Sequence, residues 1–243
     1  MLEGMYAAAS GMDAQQQQLD AIGNDLANGS TTGYKSERVG FRDLLYNEIN
    51  VAGTSTTAGA GAAAQVMGRN QTQGAIQMTG DPLDLAIEGN GYFTVKRADG
   101  SIALTRDGSF ETDATGQLVT AEGNLVQPPI TLPKGISASD VSIGPDGTVS
   151  AGTKRLGKIG LVTVPAPDKL LADGSNLFSV TPSSGAATPT SNATIHQGAL
   201  EGSNVDVATE MVRMVTTQRS YQLESSAIQT ENQMMSIANE LRS

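Results

Sequence analysis

Cysteine is absent from this 243-residue sequence. Its absence excludes disulfide bonds, thiolate catalysis and thiolate metal sites together. Tryptophan is absent as well, and aromatic residues make up only 4% of the chain, so few large side chains are available to fill a core. We therefore expect the folded β-structure to be small and rich in glycine.

Basic residues are scarce relative to acidic ones. The chain has 15 Lys and Arg against 25 Asp and Glu, a formal net charge of -10. This balance disfavours binding to nucleic acids or to acidic membrane surfaces, because proteins that bind them need basic patches. No apolar run approaches the roughly 20 residues of a membrane span, so no membrane insertion is expected. Glu3 stands where a secretory signal has a basic start, so a cleaved signal is not expected.

Helix breakers are missing from the end of the chain. All nine prolines lie between Pro82 and Pro189, and no glycine follows Gly202. The sequence therefore predicts one long helix over about residues 206–241, roughly 50 Å at 1.5 Å per residue. Ser203 or Asn204 is placed to cap its start, with Asp206 at the positive end of the helix dipole.

Both ends carry apolar residues at seven-residue spacing, which keeps one narrow seam on one side of a helix. The second row of the C-terminal pattern is mostly polar, which favours partner-selective contacts with other copies over a dry internal core. The buried face of an ordinary globular helix is the alternative. The predicted assembly interface comprises Met5, Met12, Leu19, Ile22, Leu26, Val207, Met211, Met214, Tyr221, Ile228 and Met235.

The middle of the chain has short β-prone runs separated by turn residues. The turn dipeptides, which favour tight hairpins, are Asp99-Gly100, Asp107-Gly108, Thr115-Gly116, Gly123-Asn124, Asp146-Gly147 and Asp173-Gly174. The predicted fold class is α+β: terminal helices that pair into a coiled-coil domain and a central, mostly antiparallel β domain. The predicted division is residues 1–35 with 203–243, an extended connector over 36–75 that is pliant from Val51 to Ala64, and a β domain over 76–202.

The candidate catalytic and binding motifs lack residues that such sites require. The run from Gly152 to Lys158 has phosphate-loop spacing, but Ile159 replaces the magnesium-binding hydroxyl and strand residues follow. His196 is the only histidine, so a two-histidine metal site cannot form. Asp81 and Asp84 flank a proline in a turn-like stretch, where capping is the usual role. We therefore expect no enzyme, no cofactor and no metal.

Three segments resemble the axial proteins of the bacterial flagellum, which comprise rod, hook and related subunits. The first comprises Gly11 to Gln16 through Asp25 to Asn28, then Ser30 to Lys35; the second comprises Asp84 to Phe93 and Thr105 to Phe110; the third comprises Gly198 to Asp206, Met211 to Met214 and Gln218 to Tyr221. The run from Phe41 to Tyr46 and the residues from Thr105 to Val119 are most similar to distal rod subunits. The family signature falls on Asn28, Thr31, Gly33, Tyr34, Lys35, Ser203, Asn204 and Val205.

The resemblance implies a structural subunit that self-assembles into a helical tube, the drive shaft that transmits torque to the hook. It implies export across the inner membrane through the flagellar type III apparatus, into a periplasmic or cell-wall-spanning rod of the basal body. The implied partners are further copies, other rod proteins, the hook protein, the export apparatus and rings around the rod. A proximal rod or hook-basal body protein, or a secreted β-rich coat or binding protein, are the alternatives.

Overall fold

The computed structural model describes residues 2–44, 47–51, 54–133 and 135–241. The chain divides into a helical unit, comprising Met1–Ala27, Glu37–Met67 and Asp206–Ser243, and a β unit, comprising Asn28–Ser36 and Gly68–Val205. Two helices and mostly antiparallel strands confirm the predicted α+β class. The predicted division at residues 35, 75 and 202 stays a prediction, and Leu45, Tyr46, Ala52 and Gly53 of its connector lie outside the described residues.

The elements follow the order helix, strands, helix along the chain. The helices are α1 (Leu2–Ala27) and α2 (Val207–Glu240). The strands are β1 (Glu37–Asp43), β2 (Asn47–Val51), β3 (Thr54–Ala58), β4 (Ala62–Arg69), β5 (Ile76–Met78), β6 (Leu85–Glu88), β7 (Tyr92–Lys96), β8 (Ile102–Thr105), β9 (Phe110–Thr112), β10 (Leu118–Thr120), β11 (Leu125–Gln127), β12 (Val141–Ile143), β13 (Thr148–Ala151), β14 (Lys154–Lys158), β15 (Leu161–Thr163), β16 (Leu171–Gly174), β17 (Leu177–Ser179), β18 (Thr188–Pro189), β19 (Thr194–Gln197) and β20 (Ala199–Glu201).

Helix α2 has 34 residues, which correspond to about 51 Å at 1.5 Å per residue. Its start differs from the prediction in one respect. The carboxylate of Asp206 accepts a hydrogen bond from the backbone N–H of Ala208 at 3.1 Å and from the hydroxyl of Thr209 at 2.6 Å. Asp206 is therefore the N-cap, whereas Ser203 and Asn204 bond within the β unit.

Gly23 lies in the interior of α1, and a Cβ atom added to it would meet no atom within 4 Å. We expect Gly23→Ala to raise the stability of α1 by about 0.5–1 kcal/mol, because glycine loses more backbone entropy in a helix than alanine does. Amide hydrogen exchange of α1 in the dispersed full-length chain measures this gain. Gly11→Ala is the matched control, since its Cβ would approach the Glu224 carboxylate at 3.0 Å, and a smaller gain is expected there.

The helical unit also contains paired strands, which follow α1 along the chain. Strand β1 pairs with β4, and β2 pairs with β3 in an antiparallel hairpin. The segment before β4 packs on α1: the N–H of Ala62 donates to the Ser10 hydroxyl at 3.3 Å, and Gly61 has φ +96 beside Ser10 and Ala7. The small residues of this stretch thus allow close approach to a helix.

The β unit is organised around β7. One edge of β7 pairs with β8, and the other edge pairs with β11 along part of its length and with β15 along the rest. The main core buries aliphatic side chains and the edge-to-face pair Phe93 and Phe110, whose ring centroids are 5.1 Å apart. Strands β12, β13 and β14 form a separate three-stranded sheet, while β19 pairs with β6 and β20 pairs with β5.

The predicted turns are mostly found. Gly100, Gly116, Gly123, Gly147 and Gly174 all have φ between +81 and +87, a region that other residues rarely adopt. Asp107-Gly108 is the exception and is not a hairpin turn, because β8 pairs with β7 and β17 while β9 pairs with β10. Gly108 is instead required for close approach to Leu85: its carbonyl accepts the N–H of Leu85 at 3.0 Å, and an added Cβ would collide with the carbonyl oxygen of Leu85.

Candidate assembly surfaces

A cluster of three charged side chains lies inside the β unit. The ammonium of Lys35 donates to the Glu201 carboxylate at 2.5 Å, and both side chains are completely buried. The guanidinium of Arg106 donates to the other oxygen of Glu201 at 3.2 Å. One buried carboxylate therefore balances two buried cations that are 71 residues apart in sequence.

Backbone groups complete the cluster. Lys35 also donates to the carbonyl of Thr72 at 2.8 Å, and the N–H of Gly74 donates to Glu201 at 3.0 Å. Arg106 donates to the carbonyl of Gly89 at 2.8 Å and lies 5.2 Å from the centroid of the Tyr92 ring. These partners offset part of the desolvation cost of burial, while the Nε of Arg106 is buried without a hydrogen-bond partner among the described residues.

Burial dominates the titration of this cluster. It lowers the pKa of Lys35, and the nearby charge of Glu201 opposes that change. Burial also raises the pKa of Tyr92 to about 12, and its hydroxyl donates to Gln71 at 2.6 Å. Tyr92 therefore stays protonated across the neutral pH range.

The signature residues before and after the β strands are brought together. Asn204 receives the N–H of Ser36 on its side-chain oxygen at 2.8 Å and donates its amide to the carbonyls of Asn70 and Thr72. Its backbone N–H donates to the carbonyl of Tyr34 at 3.3 Å. The chain therefore passes from α1 and towards α2 through one hydrogen-bonded junction of the β unit.

The remaining signature residues have local roles. Thr31 bonds to Asn28 at 3.1 Å, and the N–H of Gly33, which has φ +66, donates to the carbonyl of Glu201 at 2.7 Å. The Ser203 hydroxyl accepts the N–H of Val205 at 3.2 Å. We call the residues Tyr34, Lys35, Ser36, Arg106, Glu201 and Asn204 the junction.

Sequence reasoning assigned no role to Arg106 or Glu201, although both stand in segments that resemble the flagellar proteins. The feature of the sequence that could have indicated them is a charged residue inside an otherwise apolar and glycine-rich strand segment. That signal gives no partner, because Lys35 and Glu201 are 166 residues apart.

The two helices of the helical unit lie against each other in opposite directions. A Cβ on Gly4 would lie 3.1 Å from the Glu231 carboxylate, and one on Gly11 would lie 3.0 Å from that of Glu224. At the other end, Asp25 acts electrostatically on Glu210. Contacts thus recur at seven-residue steps along both helices, which is the spacing predicted for the seam.

The structure distributes the predicted interface residues over two faces of α2. Met214, Tyr221, Ile228 and Met235 are half-buried, as are Met5, Met12, Leu19 and Leu26 of α1, while Ile22 is buried. Val207 and Met211 are exposed at 42% and 53%. The second row facing α1 is therefore Glu210, Thr217, Glu224 and Glu231. The row that begins at Met211 stays a predicted interface with other copies.

Glu224 and Glu210 of this row have raised pKa values. Burial raises the pKa of Glu224, and one of its oxygens is buried with no hydrogen-bond partner among the described residues. Burial also raises the pKa of Glu210. The charge of Arg213 opposes this rise, and the charge of Asp25 adds to it. Helix α1 has no Lys or Arg in its sequence, so it supplies no cation to either carboxylate.

We expect the two units to respond differently to acid. Because the folded pKa of Glu224 is raised above 4.5, paired helices bind its proton more readily, so pairing is strongest below that value and weakens as pH rises through the folded pKa. Hydrogen bonds from Thr115 and Thr148 lower the pKa values of Asp113 and Asp146 below 3.8, so the stability that these contribute to the β unit is lost as pH falls through them.

Hydrogen exchange between about pH 7 and about pH 5, corrected for intrinsic rates, measures this difference. We expect amide protection of α1 and α2 to increase on acidification and protection of the β strands to stay constant. Glu224→Gln should reduce the change in the helices, with the exposed Glu240→Gln as control. Helix protection that falls on acidification would contradict the expected sign.

The rejected motifs have structural positions that agree with their rejection. Gly152 lies in the turn between β13 and β14, and β14 follows in place of the helix that a phosphate loop requires. Asp81 and Asp84 accept hydrogen bonds from Leu83 and Thr79 within their own turn. His196 is exposed and bonds to Glu88 at 2.6 Å. Across the described residues, no cluster of His and acidic residues could hold a metal, and no helix has the length and apolarity to cross a membrane.

Three family models match the chain. The "Flagella basal body rod protein" model matches residues 5–35, the "Flagellar hook protein FlgE/F/G D1 domain" model matches residues 86–151, and the "Flagellar basal body rod FlgEFG protein C-terminal" model matches residues 196–241. The first match contains most of α1 and the third contains all of α2, and each extends into the junction segments. The second contains the strands from β7 to β13.

Relatives align over the full length. The flagellar basal-body rod protein FlgG of Borreliella burgdorferi is 40% identical over 263 residues, covering 100% of this chain and 99% of the relative. This chain belongs to the flagellar basal-body rod protein family. The rod protein FlgG of Bacillus subtilis is 37% identical and covers 97% of both chains, whereas the rod protein FlgF of Caulobacter vibrioides is 36% identical and covers 91% of this chain and 90% of the relative.

Within the rod family, this chain is close to FlgG, as the resemblance to distal rod subunits predicted. It is a structural subunit of the flagellar basal-body rod, and the rod prediction is confirmed over that of a secreted coat or binding protein. The rod family is a structural one and not a type of enzyme. Rod proteins self-assemble and associate with other flagellar axial proteins.

Proposed function

We propose that many copies of this chain form the distal part of the rod, a helical tube that transmits torque to the hook. In this proposal α1 and α2 pair as an antiparallel coiled coil, and the paired helices form the inner layer of the tube. The observation that carries it is the seven-residue recurrence of contacts between Gly4 and Glu231 and between Gly11 and Glu224.

The paired helices are well suited to ordering during assembly. Most side chains along the seam are only half-buried, and the row facing α1 contains three glutamates and one threonine in place of large apolar residues. Such a seam stabilises two helices weakly by themselves, because it buries little apolar area. Contacts with further copies then supply the stabilisation that the separate chain lacks, and the β unit, with its own apolar core, forms the outer layer.

The proposal extends to the route and the neighbours of the chain. The subunit is exported unfolded across the inner membrane by the flagellar type III apparatus and meets other rod proteins, the hook protein and surrounding rings. The absence of cysteine fits this route, because a chain that folds after export forms no incorrect disulfides. The rod then lies in the periplasm or across the cell wall.

Electron microscopy of the purified full-length chain tests this function. We expect open-ended tubes above a critical concentration, and restored motility when the chain is expressed in a strain that lacks its own FlgG. Compact monomers or closed oligomers at every concentration, without restored motility, would contradict the proposal.

A further inference from the structure

The face of α2 that points away from α1 carries a second apolar stripe. Its positions recur every eleven residues in steps of three, four and four. Eleven residues make slightly more than three turns of an α-helix, so the stripe runs nearly straight along the axis. Six large apolar side chains on it are between 49% and 86% exposed. We define the outer stripe as Val212, Val215, Arg219, Leu223, Ser226, Thr230, Met234, Ile237 and Leu241.

The polar members of the outer stripe do not interrupt it strongly. The hydroxyls of Ser226 and Thr230 donate to the carbonyls of Gln222 and Ser226, four residues earlier, at 2.8 and 2.9 Å. Their hydrogen-bonding needs are thus met within the helix. Arg219 is the one charged residue of the stripe, and among the described residues it has no ion pair.

Helix α1 has a complementary face that is also uncovered. Its residues recur at seven-residue spacing and are small, amide-bearing or acidic, apart from Tyr6, which is 72% exposed. The carboxylates of Asp13 and Asp20 accept hydrogen bonds only from the amides of Gln17 and Gln16 in the described chain. We define the acidic face as Tyr6, Ala9, Asp13, Gln16, Asp20, Gly23 and Ala27.

Gly23 supplies an independent observation about this face. A glycine inside a helix costs about 1 kcal/mol relative to alanine and usually has a packing reason. Among the described residues, apart from its chain neighbours and the nearby backbone of α1, no atom lies within 4 Å of the position of a Cβ at Gly23, so no contact seen within the chain requires a glycine there. A helix of another molecule that approaches the acidic face closely would require it.

We infer that the outer stripe of one copy packs on the acidic face of another copy, with Arg219 paired to Asp13 or Asp20. This inference rests on the proposed function and names the surfaces through which its copies meet. The two surfaces are different, and each copy carries both, so the contact is head-to-tail and its repetition generates an open helical polymer. The stripe buries its apolar side chains, and the acidic face gains the cation that α1 lacks.

Charge reversal and mixing of two full-length variants test the inference. Arg219→Asp alone, and Asp13→Arg with Asp20→Arg alone, should each raise the critical concentration for polymerisation at least about tenfold, since each brings like charges together. An equimolar mixture of the two should polymerise at close to the wild-type concentration. In alternating order, each outer stripe then meets an acidic face of opposite charge.

The mixture also controls for misfolding, because two unfolded variants cannot restore one another. Separate variants that polymerise like the wild type, or folded variants whose mixture does not polymerise, would overturn the inference while wild-type tubes uphold the proposed function. Wild-type protein that forms no tubes would overturn the function itself. Closed dimers of the wild type would indicate contact between two like faces and would also overturn the inference.

Gly23→Ala provides a second test, whose expected result would not arise if Gly23 affected only the stability of α1. The variant should stabilise α1 in the dispersed chain and yet raise the critical concentration severalfold, because the added methyl group keeps the neighbouring helix away. Ala9→Gly on the same face is the matched control, and it should weaken α1 without hindering close approach. Unchanged or improved polymerisation of Gly23→Ala would contradict close packing at this face.

Discussion

Replacing Glu201 by Gln is expected to destabilise the β unit by about 3–5 kcal/mol. The substitution preserves the size of the side chain but removes the charge that balances Lys35 and Arg106, which are 1% and 4% exposed. Two buried cations then face each other without an anion. Urea unfolding of the full-length chain, followed by tyrosine fluorescence, measures the loss as a lower midpoint.

Two further variants make this expectation specific. Lys35→Met should cost less than Glu201→Gln, because Glu201 then retains Arg106 and the N–H of Gly74. Glu111→Gln, at an exposed position of β9, should leave the midpoint unchanged. An order in which Lys35→Met is the more damaging substitution would show that Glu201 is not the centre of the junction.

Replacing Ile228 by Asp is expected to raise the threshold concentration for tube formation at least about 100-fold above that of the wild type. This increase corresponds to roughly 3 kcal/mol. Ile228 is half-buried in the seam between α1 and α2, one turn from Glu224 and Glu231. A further carboxylate there adds repulsion and removes an apolar contact. Electron microscopy and sedimentation of serial dilutions measure the threshold.

Gln229→Asp introduces the same charge at the next residue, which is exposed, and should polymerise nearly as the wild type does. Urea unfolding of the β unit should be unchanged in both variants, because its apolar core contains no residue of α2. Normal tubes formed by Ile228→Asp would remove the seam from the assembly mechanism.

Much of the local structure was predictable because its causes are local. Breaker-free composition predicted α2, which is observed at Val207–Glu240. The dipeptides Asp99-Gly100 and Asp146-Gly147 predicted hairpin turns, and each lies between two strands that pair with each other. Strands such as β14 and β16 were not predicted, since charged, glycine-containing segments have low strand propensity and form there through pairing with neighbours.

The surfaces were predictable only in part. Seven-residue spacing predicted Met214, Tyr221 and Ile228 as one row of the α2 seam, but it did not decide which adjacent row completes it. Rows three and four residues away are both compatible with one apolar row, and the assembly role of the row that begins at Met211 stays a prediction. The row of glutamates was selected by Gly4 and Gly11, which admit their carboxylates on the opposite helix.

The sequence by itself determined the class of the protein, the two long terminal helices and the family, because composition, periodicity and contiguous motifs are properties of neighbouring residues. Only the tertiary structure decided that Lys35, Arg106 and Glu201 form one buried cluster and that α2 presents opposite seam and stripe faces. Those facts depend on contacts between residues far apart in the chain. Such contacts are set by how the strands pair and how α1 lies against α2, and no spacing along the chain encodes them.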